Sequence, residues 1–216
     1  MTRALLAEME PTWPPARQWR QGPWVLRDGA GGGGRVSAAT LEGPYDGAPP
    51  PFVMVREGEE ALDRALVAAG YGQEDEVTLY LAPVADLAAP AAVRAEWPPG
   101  PDAVAMWAAS GRITAPRLAV MARCGCPRTI IACEGGAVFA AVNGDLAVLH
   151  ALEVAPQQRR RGLARRLVQG AAQWAADRGA ARLGLVVSAD NAPARALYAA
   201  LGMAEVGRYH YRRAPR

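Results

Sequence analysis

The stretch from Leu146 to Arg178 constrains the fold of this chain more than any other. Leu146 to Val154 is an apolar run entered through Asn143-Gly144, a dipeptide that favours a tight hairpin, so it reads as a strand. It runs straight into Pro156-Gln157-Gln158-Arg159-Arg160-Arg161-Gly162-Leu163-Ala164. A helix is expected next, from about Leu163 to Arg178. Leu163, Leu167 and Ala171, with Ala164, Val168 and Ala175, recur at helical spacing, and Gly179 ends the run. A strand, a basic glycine loop and a helix in that order have a chemical meaning. The first amides of a helix lack intrahelical partners, and the helix dipole puts partial positive charge there. Such an end binds phosphates, and arginine forks add charge-assisted hydrogen bonds. Gly162 lets the backbone approach an oxyanion, and small Ala164 leaves room for a diphosphate across the turn.

The charge distribution agrees. All 24 basic residues are arginine, which excludes a lysine Schiff base, a catalytic lysine and a phosphate-loop lysine. Residues 155–216 carry 12 arginines against 3 acids, whereas residues 1–154 carry 12 against 18. The asymmetry suggests a polyanion site in the last third. A high-GC genome explains the missing lysine but not the asymmetry. A nucleic-acid binder using Arg159-Arg160-Arg161 is a rival, but that segment has no interleaved aromatics, so no nucleic-acid partner is expected.

Other classes drop out quickly. Cys124, Cys126 and Cys133 are an odd count, and Cys124-Gly125-Cys126 has no second ligand pair near it, so neither a disulfide framework nor a metal is expected. No apolar run approaches the roughly 20 residues of a membrane span. Glu8 and Glu10 interrupt any signal-peptide core, so the expectation is a cytoplasmic protein without a membrane partner.

Elsewhere the pattern is that of an α/β chain. Residues 24–27 and 35–41 are strand candidates joined by the glycine run 31–34, read as a flexible hairpin loop. Residues 57–69 read as a helix stopped by Gly70, and 77–81 as a strand. The Ala/Pro-rich segment 84–100 is the candidate boundary, and 101–124 looks like two helices broken near Gly111 and Pro116. Residues 129–133, 137–142 and 146–154 suggest an antiparallel meander. A strand over 182–188, a helix beginning at Pro193 and ending at Gly202, and one or two short strands in 204–213 complete the chain.

Arg159-Arg160-Arg161-Gly162-Leu163-Ala164 fits Arg/Gln, any, any, Gly, any, Gly/Ala, and so resembles the coenzyme A pyrophosphate motif of the GNAT superfamily of N-acetyltransferases. Leu152-Glu153-Val154-Ala155-Pro156 is similar to that family's fourth strand entering the loop. Asp190-Asn191 through Leu197-Tyr198 to Leu201-Gly202-Met203 resembles its Asn…Leu-Tyr…Leu-Gly-Phe signature, with Met203 replacing the usual aromatic. The resemblance covers about residues 101 to 216. It implies a mixed, mostly antiparallel sheet with splayed central strands flanked by helices. It also implies acetyl-CoA as co-substrate and an amine, small molecule or peptide, as acceptor.

The resemblance further assigns residues. The loop and first helical turn, Arg159, Arg160, Arg161, Gly162, Leu163, Ala164 and Arg165, would hold the pyrophosphate, largely through backbone amides. The backbones of Leu152 and Val154 would pair with the pantetheine arm, and Asn191 would contact it. Tyr198 matches the tyrosine that gives a proton to the departing thiolate; packing among Leu197 and Leu201 is the structural alternative. For the base, strict alternation would put His150, Leu152 and Val154 on one face and Glu153 on the other. Leu149-His150-Ala151-Leu152-Glu153-Val154 is similar to the strand of arylalkylamine N-acetyltransferases in which a histidine helps deprotonate the amine. His150 is thus one candidate and Glu153 the other, and a satisfied structural histidine is the plain alternative. A non-catalytic acyl-coenzyme A sensor remains a rival reading.

Residues 1–92 exceed a minimal domain of this kind, which suggests a division into 1–92 and 93–216. The helix ending Ala69-Gly70-Tyr71 faintly resembles the ending of the C-terminal half, so this region is either a degenerate second half or a cover for the acceptor site. Trp13, Trp19, Trp24 and Tyr45 are candidates to line an acceptor pocket or to fill the core. A homodimer is compatible with all of this.

Overall fold

A computed structural model describes residues 1–215. The chain opens with α1 (Thr2–Met9) and a 3₁₀ turn over Glu10–Thr12. β1 (Arg17–Gln21), β2 (Trp24–Asp28) and β3 (Thr40–Leu41) form a small antiparallel sheet. Then come β4 (Phe52–Arg56), α2 (Glu60–Ala68), β5 (Gly72–Pro83), α3 (Val84–Leu87), β6 (Arg94–Glu96), α4 (Pro101–Ser110) and α5 (Ala115–Arg123). β7 (Arg128–Cys133), β8 (Gly136–Asn143) and β9 (Leu146–Val154) are the expected meander, with Gly144 at φ +60° in the Asn-Gly turn. α6 (Leu163–Ala176), β10 (Arg182–Ser188), α7 (Ala192–Ala200) and β11 (Ala204–Arg213) end the described chain.

The main sheet has the order β4-β11-β5-β10-β9-β8-β7-β6. Its pairs are antiparallel except β9 with β10. This is the mixed, mostly antiparallel α/β sheet that was expected. Two strand–helix–strand units stand out, β4–α2–β5 and β10–α7–β11. Each helix stops at a left-handed glycine, Gly70 at φ +81° and Gly202 at φ +77°, a conformation that suits glycine. The units exchange their second strands: β11 lies against β4, β5 lies against β10, and β5 and β11 pair with each other. Swapping the two units leaves this order unchanged, in keeping with a second, degenerate half. The boundary drawn at residue 92 is therefore no seam in the sheet, because β5 sits between two C-terminal strands.

Helices cover both faces. Leu167, Val168, Ala171, Ala172 and Ala175 of α6 pack on Val138, Ala140, Ala147 and Leu149. Tyr198 and Met203 join the same cluster. On the opposite face, Leu5 and Met9 of α1 meet Leu79, Leu146, Val148, Tyr209 and Tyr211. Trp107, Val120 and Met121 of α4 and α5 meet Ile130, Phe139 and Ala141 beside them. Removing a side chain as large as Leu from water in this way stabilises by about 1.5–3 kcal/mol.

Two expectations fail near the N-terminus. Most of 35–41 is not strand: a 3₁₀ turn takes Gly34–Val36 and leaves only β3. Nor is the glycine run a flexible hairpin. A Cβ on Gly32 would stand 2.4 Å from Val120 Cγ2, and one on Gly34 would stand 2.9 Å from the Tyr211 ring. The run is a close-packed wedge between α5 and β11, and bare backbone is what fits there. α1, β1, β4, α3 and β6 were not among the elements expected from the sequence.

Candidate active site

β9 and β10 pair only from Leu146 with Arg182 to Leu149 with Leu185. Beyond that point β10 stays on β5 as far as Ser188, while β9 stays on β8 as far as Val154, so the two strands part. β9 then delivers the chain to the basic loop. The amide of Ala155 donates to Gly135 O at 2.9 Å, which fixes the loop's entry. Gly162 is the N-cap of α6 in the left-handed region, φ +77° and ψ 3°, with no side-chain cap and no acid in the first turn. The first helical bond is Arg166 N to Gly162 O. Among the described residues no backbone acceptor faces the amides of Arg160 to Arg165. No atom lies within 4 Å of where a Gly162 Cβ would sit, so the space over this helix end is open.

The arginines differ in their commitments. Arg159 Nε donates to Val154 O at 3.3 Å, and Arg161 Nη1 donates to Gln158 Oε1. Arg165 Nη2 donates to Ala200 O at 2.9 Å and ties α7 to α6. Arg161, Leu163 and Arg166 also line a hollow of about 670 Å³ with Arg94, Cys133 and Gln158. The loop region thus meets an anion's needs, with free amides, open space and exposed guanidinium groups.

The face assignment along β9 needs correction. Ala137 pairs with Glu153 but Phe139 pairs with His150, so β9 holds one extra residue there. Ala151, at φ +56°, takes up that bulge. A bulge reverses the alternation: Leu152 and Val154 join Leu149 on the α6 face. His150 and Glu153 instead oppose Phe139 and Ala137, which pack together on the other face. The two candidate bases therefore share one face, and neither shares a face with Leu152 and Val154.

His150 is buried, stacked on Trp13 with ring centres 4.8 Å apart. Arg35 Nη2 lies 2.9 Å from its Nδ1, and Thr12 Oγ1 lies 2.9 Å from its Nε2. A guanidinium only donates, so Nδ1 accepts and Nε2 carries the proton. Thr12 accepts from Nε2 and passes its own hydrogen to Met9 O at 2.6 Å. Burial first, and the Arg35 charge second, hold the imidazole well below its ordinary pKa, so it is neutral. Both ring nitrogens are taken, as for a satisfied structural histidine. Glu153 is mostly buried, and its Oε1 lies 3.8 Å from Arg112 Nη1.

On the α6 face, Tyr198 is buried with its ring 5.5 Å from that of Tyr80. Burial, with Tyr80 beside it, pushes its phenol up to about 12, so it keeps its proton at neutral pH. Asn191 caps α7, its Oδ1 accepting from Ala194 N at 3.2 Å. Of the four aromatic candidates, Trp13 lines a second cavity, Trp24 and Tyr45 pack edge to face, and Trp19 is exposed. Burial pushes the Cys124 thiol up to about 11 and that of Cys133 upward. No group of three or more potential metal ligands occurs among the described residues. No described helix is long and apolar enough to cross a membrane. Sequence reasoning missed Arg35 and Thr12, whose only local mark is that Arg35 follows the glycine run.

Comparison with known proteins agrees with this geometry. The acetyltransferase (GNAT) family matches residues 94–203. No curated protein matches the chain. Among solved structures, a GCN5-related N-acetyltransferase from Kribbella flavida aligns over 100% of this chain and 96% of its own, with TM-score 0.71 and 18% identity. A functionally unknown conserved protein from Staphylococcus epidermidis aligns over 92% and 93%, with TM-score 0.63 and 10% identity. A tandem GNAT protein from the clavulanic acid biosynthesis pathway aligns over 97% and 88%, with TM-score 0.58 and 14% identity. These identities show a shared fold. The family match spans half the chain and contains both the basic loop and the splayed strands, so the chain belongs to the GNAT acetyltransferase family and is an acyltransferase.

Proposed function

We propose that the protein moves an acetyl group from acetyl-CoA to a primary amine. The observation that carries this reading is the row of unpartnered amides from Arg160 to Arg165, on the loop that follows β9 after that strand has parted from β10. The fit is chemical: free N–H donors, a helix end and arginines suit a pyrophosphate, and an unpaired strand edge suits the amides of pantetheine. Bound acetyl-CoA supplies the acetyl group as a thioester, which the amine attacks directly with release of the free thiol.

The residues divide the work by face. On the α6 face, Arg159 to Arg165 hold the diphosphate, and Leu152, Val154 and Asn191 guide the arm. Tyr198 shares that side and holds a proton for the thiol sulfur; its buried phenol stays protonated at neutral pH. On the opposite face, Glu153 takes the amine proton, directly or through water. His150 positions its neighbours there, because its one basic nitrogen already accepts from Arg35.

Calorimetric titration with acetyl-CoA tests the reading, with Gly162→Glu as the control. Binding in the parent and none in the variant is expected, since the glutamate would force side-chain bulk into a left-handed backbone and place negative charge at the anion site. Tyr198→Phe should keep that binding and lower kcat for thiol release by about 10²-fold or more. Unchanged binding in Gly162→Glu, or unchanged turnover in Tyr198→Phe, would overturn the corresponding assignment.

A further inference from the structure

The loop after β2 plants a guanidinium behind the point where β9 and β10 separate. Arg35 donates through Nη2 to neutral His150, the first residue of β9 past its pairing with β10. Its Nη1 is shut off from solvent and has no hydrogen-bond partner. The acid in Coulombic reach, Glu10, is held by Arg27 through contacts of 2.7 and 3.0 Å. A second guanidinium, Arg117, adds to the positive field. A buried guanidinium whose partners are all neutral is costly unless an anion completes it.

Arg35 and Trp13 are also walls of a cavity of about 220 Å³ between α1 and the small N-terminal sheet. That cavity is lined by five arginines against two acids, Glu10 and Glu42. Three of the arginines are neutralised: Arg27 by Glu10, and Arg3 and Arg56 by Glu42 together with Glu59 outside the lining. Arg20 and Arg35 are left over; Arg20 is exposed, whereas Arg35 bonds to His150, on which Trp13 of the same lining stacks. The cavity thus meets the face of the sheet opposite α6, which is where an acceptor would arrive if the acetyl group is presented between the parted strands.

Resting on the acetyl-transfer reading above, we propose that the acceptor is a small amine that also carries a carboxylate, an amino-acid-like zwitterion, and that Arg35 binds the carboxylate. A guanidinium fork matches a carboxylate in shape and charge, and Nη1 is the donor still without a partner, which a carboxylate reaches by displacing what covers it in the free protein. Holding the carboxylate there keeps the neighbouring amine near the gap between the strands. His150 and Thr12 then act as positioning residues that fix the guanidinium plane.

The test compares amino acids with their decarboxylated twins: lysine with cadaverine, phenylalanine with phenethylamine, alanine with ethylamine. Each is titrated calorimetrically into the protein without acetyl-CoA, and each is then assayed for thiol release from acetyl-CoA. The carboxylate-bearing member of at least one pair should bind and turn over roughly 30-fold or more better than its twin, the loss expected when one partner of a buried charge pair is removed. Arg35→Met should erase that preference while leaving acetyl-CoA binding intact, and Arg35→Lys should restore part of it. Equal binding within every pair, no binding by any amino acid, or a preference that survives Arg35→Met would overturn the proposal. The comparison within the parent protein decides the matter even if a variant fails to fold. Loss of acetyl-CoA binding in the parent would instead sink the acetyl-transfer reading, while the coenzyme-free titration still reads Arg35 directly.

Discussion

At the scale of single residues, His150 shows how far chemistry and packing can diverge. A histidine on that strand invites a catalytic reading, yet its ring packs against both Trp13 and Phe139 with both nitrogens engaged. The consequence is measurable in stability. The folded protein holds His150 well below the pKa of about 6.5 that it has in the unfolded chain. Below that pH the unfolded state binds the proton first, so this stabilisation is complete above pH about 6.5 and is lost as pH falls towards the folded pKa. The slope it contributes is up to about 1.4 kcal/mol per pH unit. Denaturant titrations from pH about 7.5 down to 5 should show that slope, and His150→Gln should lack it. An identical pH dependence in the variant would mean that folding leaves the pKa of this imidazole unshifted.

Elements differ in how much of their structure is local, and the differences have causes. α6, β10 and the meander were legible because apolar spacing and Asn-Gly turns act within a few residues. The bulge at Ala151 was not, since nothing in Leu149-His150-Ala151-Leu152 marks which residue the partner strand will skip. The glycine run was misread for a related reason: its flexibility in isolation says nothing of Val120 and Tyr211 closing on it. Gly32→Ala should therefore destabilise by about 1–3 kcal/mol through overpacking against Val120. Gly125→Ala is the contrast, because no atom lies within 4 Å of its Cβ position, and it should be neutral or stabilise by up to about 1 kcal/mol. Paired thermal or denaturant midpoints check both. Equal effects would mean that the loop yields freely.

For the whole molecule, the strand exchange decides what is a folding unit. β5 contributes Val77 and Leu79 to a core with Tyr209, Tyr211, Leu146 and Val148, which lie far along the chain. It also supplies the partner for every residue of β10 from Arg182 to Ser188. A chain of residues 93–216 alone would expose both edges of that gap, and residues 1–92 alone would leave β4 and β5 without β11 between them. Neither piece should unfold cooperatively by itself, and mixing them should restore a cooperative transition in circular dichroism. A stable, acetyl-CoA-binding 93–216 fragment would restore the boundary suggested by composition.

The sequence by itself determined most helices, the meander and the basic loop that opens α6, because those depend on spacing, caps and charge over short distances. It also carried the family motif, which lies in one short run of consecutive residues. Only the tertiary structure decided that His150 and Glu153 share a face, that Arg35 reaches His150 across 115 positions, and that β5 lies between β11 and β10. Those outcomes depend on strand register and on burial between remote segments. Both are set by which surfaces close together best, and local spacing holds no record of that.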